Sequence, residues 1–279
     1  MVDSRLRRRR LADRDLDFLV RIAAPEEKET SGLKKQILKD ADLRKYLIAD
    51  DKVFRRTMDD EEVVLKISSF LYFEILLRKA QKELDKVSHT VERTGSQRIP
   101  VFDAPEVVKL LANEELLQYL VDMLASFTKV ENYVIPIRIA KGIWRKIRFN
   151  DMDIDALHRY CEVLDEDQRF SIYKRIGDVC LFILGIFPEY VYFDYRYPSS
   201  GEIRPKIAGH LRRGIEEYEE EGKKSYRMAS EHPVAEILRM SDIFSSLHDN
   251  FNTAKKPLNF ISQHYLRYTK QQIFGIQNQ

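Results

Sequence analysis

Residues 57–84 read TMDDEEVVLKISSFLYFEILLRKAQKEL, and the fold class turns on that stretch. Apolar residues recur at helical spacing through Val63, Val64, Ile67, Phe70, Leu71, Leu77 and Leu84. Residues three and four apart share one face of a helix, whereas a strand would alternate apolar and polar positions. Thr57 stands where an N-cap belongs. Asp59, Asp60, Glu61 and Glu62 follow in the first turn, where the positive end of the helix dipole favours acids. The spacing predicts one helix of about 25–30 residues, far longer than the usual 11–12.

The same periodicity extends in both directions. Upstream, Leu33, Ile37, Leu43, Tyr46 and Leu47 predict a shorter helix after Ser31-Gly32, and part of 5–21 is expected to be helical. Downstream, Gly95, Pro100 and Pro105 mark a connection, with Arg98 to Phe102 extended. Asp103 then opens a helix with Pro105 in its first turn, broken near Asn113. Helices are expected over 153–164, 167–186, 210–229, 233–250 and 255–272, with a Tyr- and Pro-rich irregular stretch over 187–209. The expectation is an all-α multi-helix bundle. Its parts are a basic arm (1–10), an N-terminal helical lobe (11–130) and a C-terminal lobe (131–279), with one continuous domain as the alternative. The two lobes would meet near residues 130–150.

Charge and composition narrow the function classes. Across 279 residues, 47 Lys and Arg face 45 Asp and Glu. The first ten residues hold Arg5, Arg7, Arg8, Arg9 and Arg10 against Asp3, so the formal +2 of the chain becomes −2 without them. A broad polyanion-binding surface does not follow from bulk charge; the arginine arm alone offers a nucleic-acid or acidic-partner contact. The longest apolar run, Val179 to Phe187, is well short of the roughly 20 residues a membrane span needs. Asp13, Asp15 and Asp17 interrupt what would be a secretory h-region. Cys161 and Cys180 alone make neither a disulfide framework nor a zinc site. A cytoplasmic protein without cofactor or metal is expected.

Two segments carry a family resemblance. Gly177-Asp178-Val-Cys-Leu181-Phe182-Ile-Leu-Gly185-Ile-Phe187-Pro188 is followed by Gly222-Lys-Lys-Ser-Tyr226. Together they resemble a family of uncharacterised bacterial helical proteins with a Gly-Asp-x-x-Leu-Phe-x-x-Gly-x-Phe-Pro segment and a later Gly-x-x-x-Tyr. The likeness covers about residues 115–250, and this chain has a longer Tyr- and Pro-containing insertion between the segments. The resemblance implies a helical fold and no particular activity.

Candidate chemistry is sparse. Asp151, Asp153, Asp155 and Glu162 occupy positions 1, 3, 5 and 12 of a calcium loop, but Ala156 stands where its turn needs glycine. Ile154, Leu157, Cys161 and Leu164 continue at helical spacing through the same residues, so a capped helix is predicted there. None of the six histidines has Glu three residues before it, which removes the carboxylate-bridged di-metal pattern. His-Glu-x-x-His and Gly-x-Gly-x-x-Gly are also absent from the sequence. Gly222-Lys223-Lys224-Ser225 imitates the end of a phosphate loop, with Glu217 at the first glycine position. His248-Asp249 is a lone doublet.

Two acids stand in apolar sequence, Glu74 and Asp178. Each must find a partner, because an unpaired buried carboxylate costs several kcal/mol. Arg78 lies one turn after Glu74, while Lys174 and Arg175 lie one turn before Asp178. Between Phe187 and Tyr197 six residues are aromatic, suited either to roofing the core or to stacking on a partner.

The reading that follows is a helical binding or interaction protein more than an enzyme. Its working residues are Asp178, Glu189, Tyr190, Tyr192, Tyr195 and Tyr226, and its partner is a protein or small molecule. One alternative is a hydrolase or ligand-binding protein with an acidic pocket around Glu74, Asp178 and His158. The other is nucleic-acid binding through the arginine arm.

Overall fold

The structure, a computed structural model, describes residues 11–26, 30–60, 62–94, 97–129, 132–140, 143–191 and 213–275. It is all-α in class: helices carry the core, and the strands among the described residues form two separate two-stranded hairpins. The chain divides into two compact units. One takes the described residues through Thr90 together with Val101–Ala125. The other takes Val91–Pro100 and the described residues from Ser126 onward.

The first unit contains α1 (Asp13–Ala23), α2 (Ser31–Lys39), α3 (Ala41–Ile48), α4 (Asp51–Asp59), α5 (Val63–Lys66), α6 (Ser69–Leu84), α7 (Ala104–Ala112) and most of α8 (Glu114–Ser126). The single long helix expected from Thr57 is three helices. Thr57 lies in the last turn of α4, where its hydroxyl donates to the Val53 carbonyl at 2.8 Å instead of capping. Asp60 leaves the helix in extended backbone, and α6 starts afresh at Ser68, whose hydroxyl accepts from the Leu71 amide at 3.1 Å.

The break has a tertiary cause. The buried Asp15 carboxylate of α1 takes the Ser68 amide at 2.6 Å and its hydroxyl at 2.8 Å. A buried carboxylate needs donors, and a helix N-terminus carries amides that lack intrahelical partners. Asp15 lies 53 residues earlier in the chain, beyond the reach of any local pattern.

α6 is buried almost all round, from Leu71 to Leu84, and forms the centre of this unit. The break at Asn113 falls where the sequence places it: its side chain accepts from the amides of Glu115 and Leu116 and opens α8.

The second unit contains α9 (Ile154–Val163), a 3-10 turn (Glu166–Gln168), α10 (Phe170–Ile186), α11 (Ile215–Ser230), α12 (Pro233–Ile237), α13 (Ser241–Asp249), α14 (Phe251–His264) and α15 (Lys270–Ile273). Of the 17 residues in α10, 14 are buried, so it is the unit's central element, with α9, α11 and α14 packed on it. The helix expected over 233–250 is divided, because Arg239 adopts a left-handed φ of 57° between α12 and α13. α14 starts at Phe251, four residues before the expected 255, and carries Pro257 inside it.

β2 covers most of the stretch expected to be extended, 98–102; the remaining departure is the rest of the β-structure. β1 (Thr90–Thr94) pairs with β2 (Gln97–Val101), and β3 (Asn132–Ala140) pairs antiparallel with β4 (Ile143–Asn150). The register runs from Asn132↔Asn150 to Ala140↔Ile143, with an irregularity between Arg138 and Ala140. Pro136 obscures this ribbon in the sequence, because proline is excluded from central strands; a two-stranded ribbon has only edges, where proline is tolerated.

Candidate functional site

Asp178 sits in the middle of α10 and is 0% exposed. Its Oδ2 accepts from Lys174 Nζ at 2.6 Å and its Oδ1 from the Tyr226 hydroxyl at 2.9 Å. Lys174 is the partner the sequence offers one turn away; Tyr226, 48 residues on, is the one it conceals. Arg175, the other expected partner, turns elsewhere. Its guanidinium donates to the Asp151 carbonyl at 3.1 Å, to Asp151 Oδ2 at 2.6 Å and to Ser126 Oγ at 2.9 Å. It lies 3.9 Å from the Phe127 ring centroid. It thereby ties the residues just before β3 to those just after β4.

The two segments of the resemblance meet at one joint. The fully buried Tyr226 ring lies against Gly177, where a Cβ would stand 2.8 Å from its Cδ1 and Cε1 atoms. A Cβ on Gly222, one turn before Tyr226, would collide with the Phe251 ring and meet Cys180 Cβ at 3.0 Å. These glycines are needed for close approach of α10, α11 and α14, and Tyr226 also stacks near Phe244. Asp178 and Tyr226 therefore belong to the interior, joined to each other.

Beside this joint lies a charged cleft lined by Arg213, Glu217, Glu220, Glu221 and Lys224. Arg213 pairs with Asp155, and His158 Nε2 stands 3.0 Å from Glu221 Oε1. The His158 hydrogen bond holds the Glu221 carboxyl below its ordinary range, against the opposing effect of burial. The calcium-like acids are thus drawn to separate partners: Asp151 to Arg175, Asp155 to Arg213, and Asp153 to the Ala156 amide, which it caps at 3.0 Å. Among the described residues no group of three or more His, Cys, Asp or Glu side chains is placed to hold a metal ion. His248 Nδ1 contacts the Lys223 carbonyl at 2.9 Å, and its Nε2 is 3.9 Å from Asp249.

Glu74 belongs to the other unit. Its Oε1 accepts from Arg78 Nε at 2.9 Å, Arg78 Nη2 at 2.7 Å and Gln118 at 2.9 Å. Arg78 extends the network to Glu114 Oε1 at 2.5 Å, and Lys45 approaches Glu114 at 3.4 Å. Burial raises the Glu114 carboxyl, but the hydrogen bond and charge of Arg78 outweigh it and hold the group below its ordinary range. The two acids that a pocket around Glu74 and Asp178 would require each have partners within their own unit.

Glu189 and Tyr190 follow α10 directly. Lys270 reaches Glu189 at 2.5 Å and the Ile186 carbonyl at 3.0 Å, and lies 5.0 Å over the Phe187 ring. The Tyr190 ring stacks on Phe187 at 5.2 Å, and Gln271 Nε2 donates to its hydroxyl at 3.4 Å. Burial raises the Tyr190 hydroxyl's pKa. Tyr192 and Tyr195 lie outside the described residues, as do Arg5, Arg7, Arg8, Arg9 and Arg10.

Both thiols are buried. Burial pushes Cys161 up to about 11, the nearby Arg169 charge only partly opposing it, and raises Cys180 well above the ordinary thiol range. Because the thiolate is the reacting species, neither cysteine should titrate with a disulfide reagent at pH 8 in the native protein. Both should react once the chain is unfolded in guanidinium. Fast native labelling of either would show that α9 or α10 opens locally.

Taken together, fold and site define an all-α protein whose second unit is organised on a buried Asp–Tyr–Lys joint flanked by a charged cleft. No family model, no curated protein and no solved structure matches the chain.

Proposed function

We propose that the chain is a helical binding protein that captures a protein or small-molecule partner on the surface around Glu189, Tyr190, Tyr192 and Tyr195. Asp178 and Tyr226 lie in the interior and hold α10, from whose end that stretch leaves, so their part is structural support. The observation that carries the reading is the pairing of the two acids in apolar sequence. Asp178 is shut from solvent by Lys174 and Tyr226, and Glu74 is held by Arg78 and Gln118. A general acid or base must exchange protons with a bound substrate, and neither carboxylate is presented for that. This favours binding over hydrolysis. A cytoplasmic location and membership of the uncharacterised bacterial helical family belong to the same proposal. Supporting them, no helix among the described residues is long and apolar enough to cross a membrane, and Gly177-Asp178 touches Tyr226.

Glu189 and Tyr190 are fixed by Lys270, Phe187 and Gln271, so the chain enters the tyrosine stretch from an anchored point. Replacing both Tyr192 and Tyr195 by alanine should reduce capture of an affinity-purified partner by about tenfold or more, as loss of aromatic anchors does. The melting temperature should stay close to that of the unchanged protein. A large drop in melting temperature would place these tyrosines in the core and overturn the reading.

A further inference from the structure

His232 is 6% exposed and stands immediately before α12, where both of its ring nitrogens are taken by backbone. Nδ1 lies 3.2 Å from the Val234 amide, and Nε2 lies 3.0 Å from the Glu166 carbonyl in the 3-10 turn. An amide can only donate and a carbonyl can only accept. Nδ1 must therefore carry the lone pair and Nε2 the hydrogen, which is the neutral ring in one tautomer. At the start of α12, Pro233 has no amide, and the Ala235 amide bonds to the His232 carbonyl at 2.8 Å. The Val234 amide is thus the donor that the ring satisfies. A helix of five residues makes few internal hydrogen bonds and leans on such a cap.

We propose that His232 is an acid-released latch. Neutral, it caps α12 and ties it to the 3-10 turn; protonated on Nδ1, it releases α12 and keeps its hold on Glu166. A proton on Nδ1 sets two donors against each other, and the buried ring leaves little room for water to relieve them. The Nε2 hydrogen is present in both forms, so the release falls on the α12 side. The surroundings supply no counter-charge at the ring. On the 3-10 turn, Glu166 pairs with Arg169 at 2.6 Å and accepts from the Tyr173 hydroxyl at 3.5 Å, while Asp165 and Asp167 are exposed. From α10 the ring meets Phe170, the centroids 5.6 Å apart. At the end of α11, Glu231 pairs with Arg227 at 2.9 Å; Glu236 on α12, Arg239 after it and Asp242 on α13 are exposed. Among the described residues no acidic side chain contacts the ring. The native contacts require the unprotonated form, so acid weakens the latch and base restores it. None of these residues belongs to the proposed partner-binding surface, so either inference can fail without the other.

The test follows the protection of the Val234 amide against hydrogen exchange in the full chain from about pH 8 down to about pH 5, the span in which imidazole gains its charge. Each value is corrected for the intrinsic exchange rate at its pH, with the Val179 amide of α10 as the control that stays constant. Linkage to one proton lets the opening equilibrium at Val234 rise by up to about tenfold per pH unit toward acid. His232→Asn removes the titrating group and keeps a capping acceptor, so its Val234 protection should stay level across the span. His232→Ala lacks the acceptor throughout and should show the opened α12 already at the alkaline end. Nitrogen-15 shifts of the ring at that end should place the hydrogen on Nε2. The proposal is overturned by a hydrogen on Nδ1, by protection at Val234 that ignores pH in the unaltered chain, or by an equal pH response in His232→Asn. The first two results are read without any substitution, so they decide the matter even where a variant folds poorly.

Discussion

Replacement of Tyr226 by alanine is expected to lower the unfolding free energy by about 3–5 kcal/mol, the range for deleting a large buried aromatic side chain. The ring is fully buried against Gly177 and near the rings of Phe244 and Phe251. The substitution also strips Asp178 Oδ1 of a donor while leaving the carboxylate buried. Tyr226→Phe separates the two contributions. It keeps the ring and removes the hydroxyl, so it should cost about 1–3 kcal/mol, the range for removing one partner from a buried hydrogen bond to a charged group. Urea denaturation of the three proteins reads both differences directly. Equal losses for the two variants would mean that the hydrogen bond, and not the packing, holds α10 to α11. No loss for Tyr226→Ala would sink the joint as a structural element.

Arg78→Met should be similarly severe, at about 3–5 kcal/mol, because it leaves the buried Glu74 without its charge partner. The guanidinium makes two hydrogen bonds to Glu74 and reaches Glu114, and both Arg78 and Glu74 are buried. Gln118 alone remains as a donor to Glu74 among the contacts described above. Combining Arg78→Met with Glu74→Leu should recover most of the loss, since apolar replacement of a whole buried pair is often neutral or stabilising. The comparison is again by urea denaturation. A double variant as unstable as Arg78→Met would show that the pair contributes through shape as well as charge.

Both predictions concern acids that a sequence reading offers for chemistry. Glu74 was legible in full at the local level: Arg78 is one turn away, and the structure pairs them. Asp178 was half legible, because Lys174 is one turn away while Tyr226 is on another helix. The Gly222-x-x-x-Tyr226 spacing places glycine and tyrosine on one helix face, which hints at a close crossing without naming what crosses. Arg213 and Glu221, which pair with Asp155 and His158, left no such hint. Nothing in the spacing relates a residue near 213 or 221 to α9.

Helical class, a helix capped by Asp151 or Asp153, the break at Asn113 and the pairing of Glu74 with Arg78 are legible in the sequence alone. Each rests on interactions within a few residues, which side-chain type and spacing encode directly. Three features were decided only by the tertiary structure: the division of 57–84 into three helices, the partner of Asp178 and the β3–β4 ribbon. In the first, a carboxylate from α1 competes successfully for the amide of Ser68; in the second, a hydroxyl arrives from 48 residues away. In the third, a proline that would forbid a central strand is tolerated because a two-stranded ribbon has no central strand. Contacts distant along the chain can override local preference because their energies are of the same few kcal/mol as the propensities they oppose.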